Sequence, residues 1–297
     1  MVSISSLKTE IRNEKTMNLD LLSVKEIIEI MNSEDSKVIE TINKALPEIE
    51  NLIKKTIAVI AEGGRIIYLG AGTSGVIGLM DAVECKPTFN CDQEFIALIA
   101  GGARAFDSGI GAAEDSKQLA VEDLKKINLS EKDIVIGIAA SGRTPYVIGG
   151  LEYAKEVGAK TGSVCCNYNT EISKHSQNPV EVNAGAEVLT GSTRLKAGTC
   201  QKIILNMIST VTMIKSGKVY GNLMVDVQAT NEKLVERCKR IVMEATGADR
   251  DVATEALEKS NYSCKVAIVM ILLGIDEKEA AEKLAASKGF IREVIKI

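Results

Sequence analysis

Five short apolar runs, each followed by an amphipathic or turn-rich stretch, occupy residues 65 to 216. They are "RIIYLG" (65–70), "FIALIAG" (95–101), "DIVIGIAAS" (133–141), "KTGSVCCN" (160–167) and "PVEVNA" (179–184). Runs of this length, rich in β-branched residues and apolar on both faces, read as strands buried on both sides. Helical patterns fall between and after them, around 75–84, 109–126, 145–157, 170–176 and 192–216. Strand and helix in alternation predict an α/β fold: a parallel sheet covered by helices on both faces, three layers deep. Ligands of such sheets bind beyond the carboxyl ends of the strands, near the point where the strand order reverses.

The flanks have a different pattern. Residues 23–62 carry helical stripes: Val24, Ile27, Ile28 and Met31, then Val38, Ile39, Ile42 and Leu46. Ser23 can cap the first helix, and Ser33 or Asp35 the second. Pro47 breaks or restarts the pattern, which continues to Gly63 and Gly64. After "KVYGNLMVDVQATNEKL" the chain is helical in pattern, with Ala256, Leu257, Val266, Ala267 and Met270 as a candidate core. The expected organisation is a helical N-terminal arm (1–54), a central α/β domain (55–231) and a small helical C-terminal domain (232–297).

Composition narrows the function. Thirty-six Lys and Arg against 40 Asp and Glu leave a net charge of −4, and Trp is absent. Neither a basic field for nucleic acid nor a stacking platform for single strands is present. No run of about 18 apolar residues suggests a membrane span, and the charged N-terminus lacks a signal-like apolar core. A soluble cytoplasmic protein is therefore expected, with no membrane or nucleic-acid partner. Seven cysteines without a CxxC pair, and a single histidine, predict buried reduced thiols and no metal site. His175, in "EISKHSQNP", reads as a surface loop residue rather than a catalyst.

The first strand runs into "GAGTSGVIGLMDAVE", a GxGxxG loop opening a helix. A dinucleotide site would also require an acid at the end of the second strand, where the chain has "IAGGARAF", with Arg104 instead. A P-loop fails for want of GxxxxGK[ST]. The third strand runs into a second hydroxyl-rich loop, "ASGRTP". Gly72, Thr73, Ser74 and Gly75 in the first loop, with Ser141, Gly142, Arg143 and Thr144 in the second, suit a phosphate monoester. Such a group carries most of two charges and wants several donors, including backbone N–H groups at helix N-termini. Helix capping by the same hydroxyls is the alternative.

These paired loops resemble the SIS (sugar isomerase) domain. The segments "TEIRNEKTMNLDLLSV", "GAGTSG", "DAVECKPTF", "GIAASGRTPYVIG", "LTGSTRLKAGT", "LNMIST" and "KVYGNLMVDVQATN" are further similar to the N-acetylmuramic acid 6-phosphate etherase family, over nearly the whole chain. The resemblance implies a cofactor-free lyase, as a homodimer, acting on a phosphorylated amino sugar. The reaction it implies converts N-acetylmuramic acid 6-phosphate and water to N-acetylglucosamine 6-phosphate and D-lactate.

That chemistry needs a base for the C2 proton of the open-chain aldehyde and an acid for the departing lactate oxygen. The resemblance assigns these roles to Glu114 in "GAAEDS" and Glu84 in "DAVEC", respectively. It adds Glu187, Ser192, Thr193 and Lys196, in "AEVLTGSTRLKAG", as residues closing the sugar site. Cys85 has no nearby histidine and the reaction needs no nucleophile.

The chain departs from the family pattern at Val76, where Arg is expected, and at Lys86, Asn90, Gly111 and Ala186. Val76 and Lys86 would flank the sugar and alter its charge surroundings. Two other functions share these loops: a non-catalytic sugar-phosphate sensor like the regulators of glucokinase, and an aldose-ketose phosphosugar isomerase.

Overall fold

The computed structural model describes residues 8–102 and 111–296. The chain divides into two compact units, residues 1–82 with 94–208, and residues 83–93 with 209–297. Two helices, Gly72–Phe89 and Lys196–Lys215, begin in the first unit and end in the second.

In the first unit, three helices precede the sheet: α1 (Val24–Asp35), α2 (Lys37–Lys44) and α3 (Leu46–Ala61). Ser23 caps α1 with a full capping box, accepting from the Glu26 amide while the Glu26 carboxylate returns to the Ser23 amide. The second cap differs from expectation. Ser36 stands there, in helical backbone geometry and without a side-chain capping bond, so the chain barely leaves the helix between α1 and α2. Pro47 lies in the first turn of α3, where its missing N–H has no helical partner to lose.

The rest of the unit alternates as anticipated: β1 (Ile66–Gly70), α4 (Gly72–Phe89), β2 (Phe95–Ile99), α5 (Gly111–Glu114), α6 (Lys117–Lys126), β3 (Ile134–Ala139), α7 (Pro145–Val157), β4 (Lys160–Cys165), α8 (Glu171–Lys174), β5 (Asn178–Glu181) and α9 (Lys196–Lys215). The helical pattern at 109–126 resolves into two helices, because Ser116 leaves helical geometry and caps α6 by accepting from the Leu119 amide at 3.2 Å. The five strands are parallel, in the order β2-β1-β3-β4-β5. The order reverses between β1 and β3, which puts the switch point at the carboxyl ends of these two strands.

Alternation along the strands assigns the two faces. Ile67, Leu69, Val135, Ala139 and Cys165 join Leu124 of α6 and Tyr146, Val147 and Leu151 of α7 in one buried cluster. On the opposite face, Tyr68 and Ile138 meet Gly78 of α4, and Gly162 lies under Leu52 of α3. A Cβ on Gly150 would stand 2.1 Å from Leu69 Cδ2, so α7 can approach β1 this closely only with glycine there. At the entry to the sheet, Asp133 accepts from the Arg65 amide, Nε and Nη2 and from the Ser130 amide, tying the starts of β1 and β3 together.

The second unit contains a short hairpin, β6 (Val219–Tyr220) and β7 (Leu223–Met224), and helices α10 (Glu232–Thr246), α11 (Arg250–Lys259), α12 (Cys264–Leu273), α13 (Glu277–Ala286) and α14 (Ile291–Ile295). Asn231, Asp249, Ser263 and Asp276 each cap a helix through the side chain. Gly247 and Gly274 end α10 and α12 at positive φ. Ala256, Leu257 and Ala267 are buried in the core, with Val266 and Met270 packed against it. Asp226, beyond the hairpin, receives Lys265 at 2.7 Å and Lys218 at 3.1 Å.

All seven cysteines are free and buried. No helix among the described residues is long and apolar enough to cross a membrane.

Candidate active site

The first glycine-rich segment is less a loop than the start of a helix. β1 ends at Gly70 and α4 begins at Gly72, with φ +49°. Gly70 and Gly75 press together: a Cβ on Gly70 would lie 2.8 Å from the Gly75 amide nitrogen, and one on Gly75 would lie 2.9 Å from the Gly70 oxygen. These glycines let α4 start directly on the end of β1. Thr73 is exposed in the first turn, and Ser74 is buried. Backbone N–H groups of that turn, together with the helix dipole, favour an anion at this end.

The second segment is tied down on its far side. Gly142 adopts φ +72° and its missing Cβ would meet Thr170 Cβ at 2.3 Å, while its carbonyl accepts from the Ile172 amide at 3.0 Å. Ser141 Oγ accepts from the Arg143 amide at 3.3 Å. Ser141 and Arg143 open onto a cavity of about 610 Å³ that also receives Lys8, Asn167, Lys174 and Asn183. Three cations and a ring of amides make this space suited to anionic or polyhydroxylated molecules. Lys174 is partly neutralised by Glu171 at 2.7 Å. The N-terminal segment is held at its edge by Asn167, which accepts from the Lys8 amide and donates to Thr9 Oγ1.

Thr144 and Glu114 are brought together. Thr144 occupies the N-cap position of α7 but makes no side-chain capping bond. Its hydroxyl donates instead to Glu114 Oε1 at 3.1 Å. Glu114 is the last residue of α5 and its side chain is exposed apart from this bond. Because a hydroxyl has one proton, the first-turn amides of α7 remain as the donors for an anion here. Arg104 lies outside the described residues, and Gly111 opens α5.

Glu84 lies on α4 in the second unit, exposed, with its carbonyl accepting from Thr88 Oγ1 at 2.9 Å. The chain does not turn at Cys85-Lys86-Pro87. It stays helical through Pro87, whose missing N–H would have bonded the Val83 carbonyl, and stops at Asn90 with φ +53°. Cys85 is buried, and Lys86 reaches Asp92 at 3.3 Å. Val76 is exposed.

The segment before α9 is an internal brace. Glu187 is 1% exposed and caps α9, its two oxygens accepting from the Lys196 and Ala197 amides at 3.0 and 2.9 Å. Burial pushes the Glu187 carboxyl up, against the pull of those amides and of Lys196. Lys196, also 1% exposed, sends its ammonium to Glu34 Oε2 at 2.8 Å and to the Ala184 carbonyl at 2.9 Å. Glu34 accepts further from Lys37 Nζ at 2.6 Å and Asn13 Nδ2 at 3.1 Å. Burial alone would raise the Glu34 carboxyl, but Lys196 and Lys37 hold it at about 2. Ser192 and Thr193 are half-buried in the turns between the cap and the helix.

Two residues important to this arrangement carry little local sequence signal. Glu34 reads as one of several solvated carboxylates on α1, and only the fold sets it against Lys196. Gln201, 1% exposed on α9, accepts from Ser74 Oγ at 3.0 Å. The small residues of "KAGT" just before it were the available hint, since they permit a close helix approach.

A parallel sheet whose β1 and β3 both run through Gly/Ser/Thr turns into helices at the switch point defines a SIS-domain protein. Residues 48–155 match the glucokinase regulatory protein N-terminal SIS domain, and residues 117–211 match the SIS domain. A phosphoheptose isomerase from Francisella tularensis shares the fold, with a TM-score of 0.50 and 16% identity over 65% of this chain and 100% of that one. Within that class, the chain belongs to the N-acetylmuramic acid 6-phosphate etherase family. It is 58% identical over 293 residues to the N-acetylmuramic acid 6-phosphate etherase of Bacillus cereus (strain B4264), covering 98% of this chain and 100% of the relative. Identity and coverage are the same for the etherase of Bacillus mycoides (strain KBAB4).

Proposed function

We propose that this chain cleaves the D-lactyl ether of N-acetylmuramic acid 6-phosphate, giving N-acetylglucosamine 6-phosphate and D-lactate. The observation that carries this reading is the 58% identity to etherases, sustained over 98% of the chain. In the open-chain aldehyde, Glu114 takes the C2 proton and the C3–O bond breaks. Glu84 protonates the departing lactate oxygen, leaving a 2,3-unsaturated aldehyde. Water then adds at C3 and a proton returns to C2, with the two carboxyl groups exchanging roles. The Thr144 hydroxyl supports Glu114 in this role by fixing one of its oxygens, so that the other can face C2.

The phosphate end meets the first turns of α4 and α7, with Thr73, Ser74 and Ser141 as side-chain partners and Arg143 as the counter-charge. Ser192 and Thr193 line the sugar, held in place by the Glu187 cap and the Lys196 brace. We further assign a homodimer acting in the cytoplasm in the reuse of cell-wall amino sugars; light scattering on the purified protein tests the dimer.

The deciding experiment incubates purified protein with N-acetylmuramic acid 6-phosphate in heavy water and follows D-lactate and product mass. Lactate release is expected, with deuterium at C2. Glu84→Gln and Glu114→Gln should abolish release while phosphosugar binding persists. Absence of lactate across a broad pH range would overturn the reading. The match of residues 48–155 to the glucokinase regulatory protein's SIS domain favours a second one, a phosphosugar sensor. A sugar phosphate that raises Tm without turnover would select it, and a mass-conserving change of product would select isomerisation.

A further inference from the structure

We propose that Gln201 is a positioning residue for the phosphate end of the substrate, acting by setting the direction of the Ser74 hydroxyl. The inference rests on the reading above that Ser74 faces the phosphate.

The first two turns of α9 lie on the first turn of α4. A Cβ on Gly198 would stand 3.5 Å from Ile77 Cδ1 and 3.7 Å from Thr73 Cγ2, so the helices meet with little space between them. One turn on, Ser74 Oγ donates to Gln201 Oε1 at 3.0 Å. Both residues are buried, Ser74 at 8% and Gln201 at 1% exposure. Nε2 of Gln201 is buried as well and has no hydrogen-bond partner among the described residues. A buried amide donor left unpaired is rare in folded proteins and calls for an explanation.

The polarity of Ser74 supplies that explanation. A hydroxyl has one proton and two lone pairs. With its proton committed to Gln201 Oε1, Ser74 offers an anion only lone pairs, which is the wrong sign. A half-turn of the Gln201 carboxamide exchanges its two ends. Nε2 then donates to Ser74 Oγ, and the hydroxyl proton is released toward a phosphoryl oxygen. The orphan donor acquires a partner, and the carbonyl left in its place is the less costly group to leave under-satisfied. The resulting chain, amide N–H to hydroxyl to phosphate, strengthens each of its bonds by mutual polarisation. Only a side chain that can both accept and donate permits the exchange, which is why glutamine and neither glutamate nor an apolar residue suits the position.

The test is steady-state kinetics on N-acetylmuramic acid 6-phosphate, with inorganic phosphate as competitor, for wild type, Gln201→Glu and Gln201→Met. Glutamate has the shape of glutamine but only accepts, so it holds the Ser74 proton away from the ligand and adds a like charge. KM and the phosphate inhibition constant are expected to rise together by about tenfold or more, with kcat nearly unchanged. Gln201→Met leaves Ser74 free to turn, so its KM should rise less than that of the glutamate variant. Adding Ser74→Ala to Gln201→Glu should raise KM less than it does in wild type, because both changes act through one hydroxyl.

An active wild type whose two Gln201 variants keep KM and phosphate inhibition unchanged, or lose only kcat, overturns the inference while leaving the etherase reading intact. If Gln201→Glu fails to fold, judged by circular dichroism, the methionine variant and its double mutant with Ser74→Ala decide by the same criterion. If wild type releases no lactate, the etherase reading fails by itself. Calorimetric titration of inorganic phosphate then still tests the inference: weaker binding to the variants supports it, and equal binding overturns it.

Discussion

Thr144 stands at the N-cap of α7, accepts no side-chain capping bond from its own helix, and gives its proton to Glu114 Oε1 at 3.1 Å. An N-cap threonine normally accepts from the second or third amide of its helix. Here the cap is forgone, and the hydroxyl joins the start of α7 to the end of α5. A group whose orientation is fixed before substrate arrives spends less of the barrier on reorganisation. Thr144→Val keeps the buried shape and removes the donor, so kcat for lactate release should fall by about tenfold with KM little changed. Thr144→Ser should restore most of the loss. Equal kinetics for all three proteins would remove Thr144 from the mechanism.

Gly142 combines two constraints, a left-handed backbone at φ +72° and a Thr170 Cβ that would lie 2.3 Å from any added carbon. Alanine there must pay both for the backbone and for displacing Thr170, about 2–4 kcal/mol together. The expected result is a lower midpoint in urea unfolding and loss of phosphosugar binding. Gly72→Ala is a useful contrast, since its positive φ is unaccompanied by any atom of the described residues within 4 Å. It should cost stability through the backbone alone.

Lys196 and Glu34 form an ion pair at 2.8 Å, each side chain no more than 2% exposed. Removing one partner leaves a buried charge, so Lys196→Met or Glu34→Gln should destabilise the protein by about 3–5 kcal/mol. The double replacement Glu34→Gln with Lys196→Met should lose less than the sum of the two. Strict additivity in the unfolding free energies would mean the pair is not coupled.

The same pair gives the protein an acid limit. Glu34 is held at about 2, below its ordinary 4.5, by Lys196 and Lys37 against the opposing effect of burial. A lowered carboxylate stabilises the folded state fully above its unfolded value and ceases to do so as the pH falls toward its folded one. Wild type should therefore lose its advantage over Glu34→Gln between about pH 4.5 and about pH 2. A stability difference that is constant across this range would exclude Glu34 as a source of acid sensitivity.

Much of the architecture was legible in local pattern. Short apolar runs flanked by helical stripes specify strands buried on both faces, and the five strands of the parallel sheet fall within or beside those runs, whereas the short hairpin of β6 and β7 has no such run. Backbone hydrogen bonding has few ways to satisfy such a pattern, and a parallel sheet between helices is the one that suits alternating elements. Helix ends were harder to read. Ser36 makes no side-chain capping bond to α2, and Pro87 is carried inside α4, because packing and continuity of the helix outweighed the local preferences of these residues.

By itself, then, the sequence determined the sheet, the two hydroxyl-bearing helix starts at its carboxyl end, and, through long motifs, the family. The tertiary structure alone decided which side chain each functional residue faces. Glu114 faces Thr144, Ser74 faces Gln201, and Lys196 faces Glu34 across 30, 127 and 162 positions of sequence. Periodicity reports which face of an element is buried, because burial repeats with the geometry of the backbone. A hydrogen bond between two polar groups has no such repeat, and only the packed chain brings them to hydrogen-bonding distance.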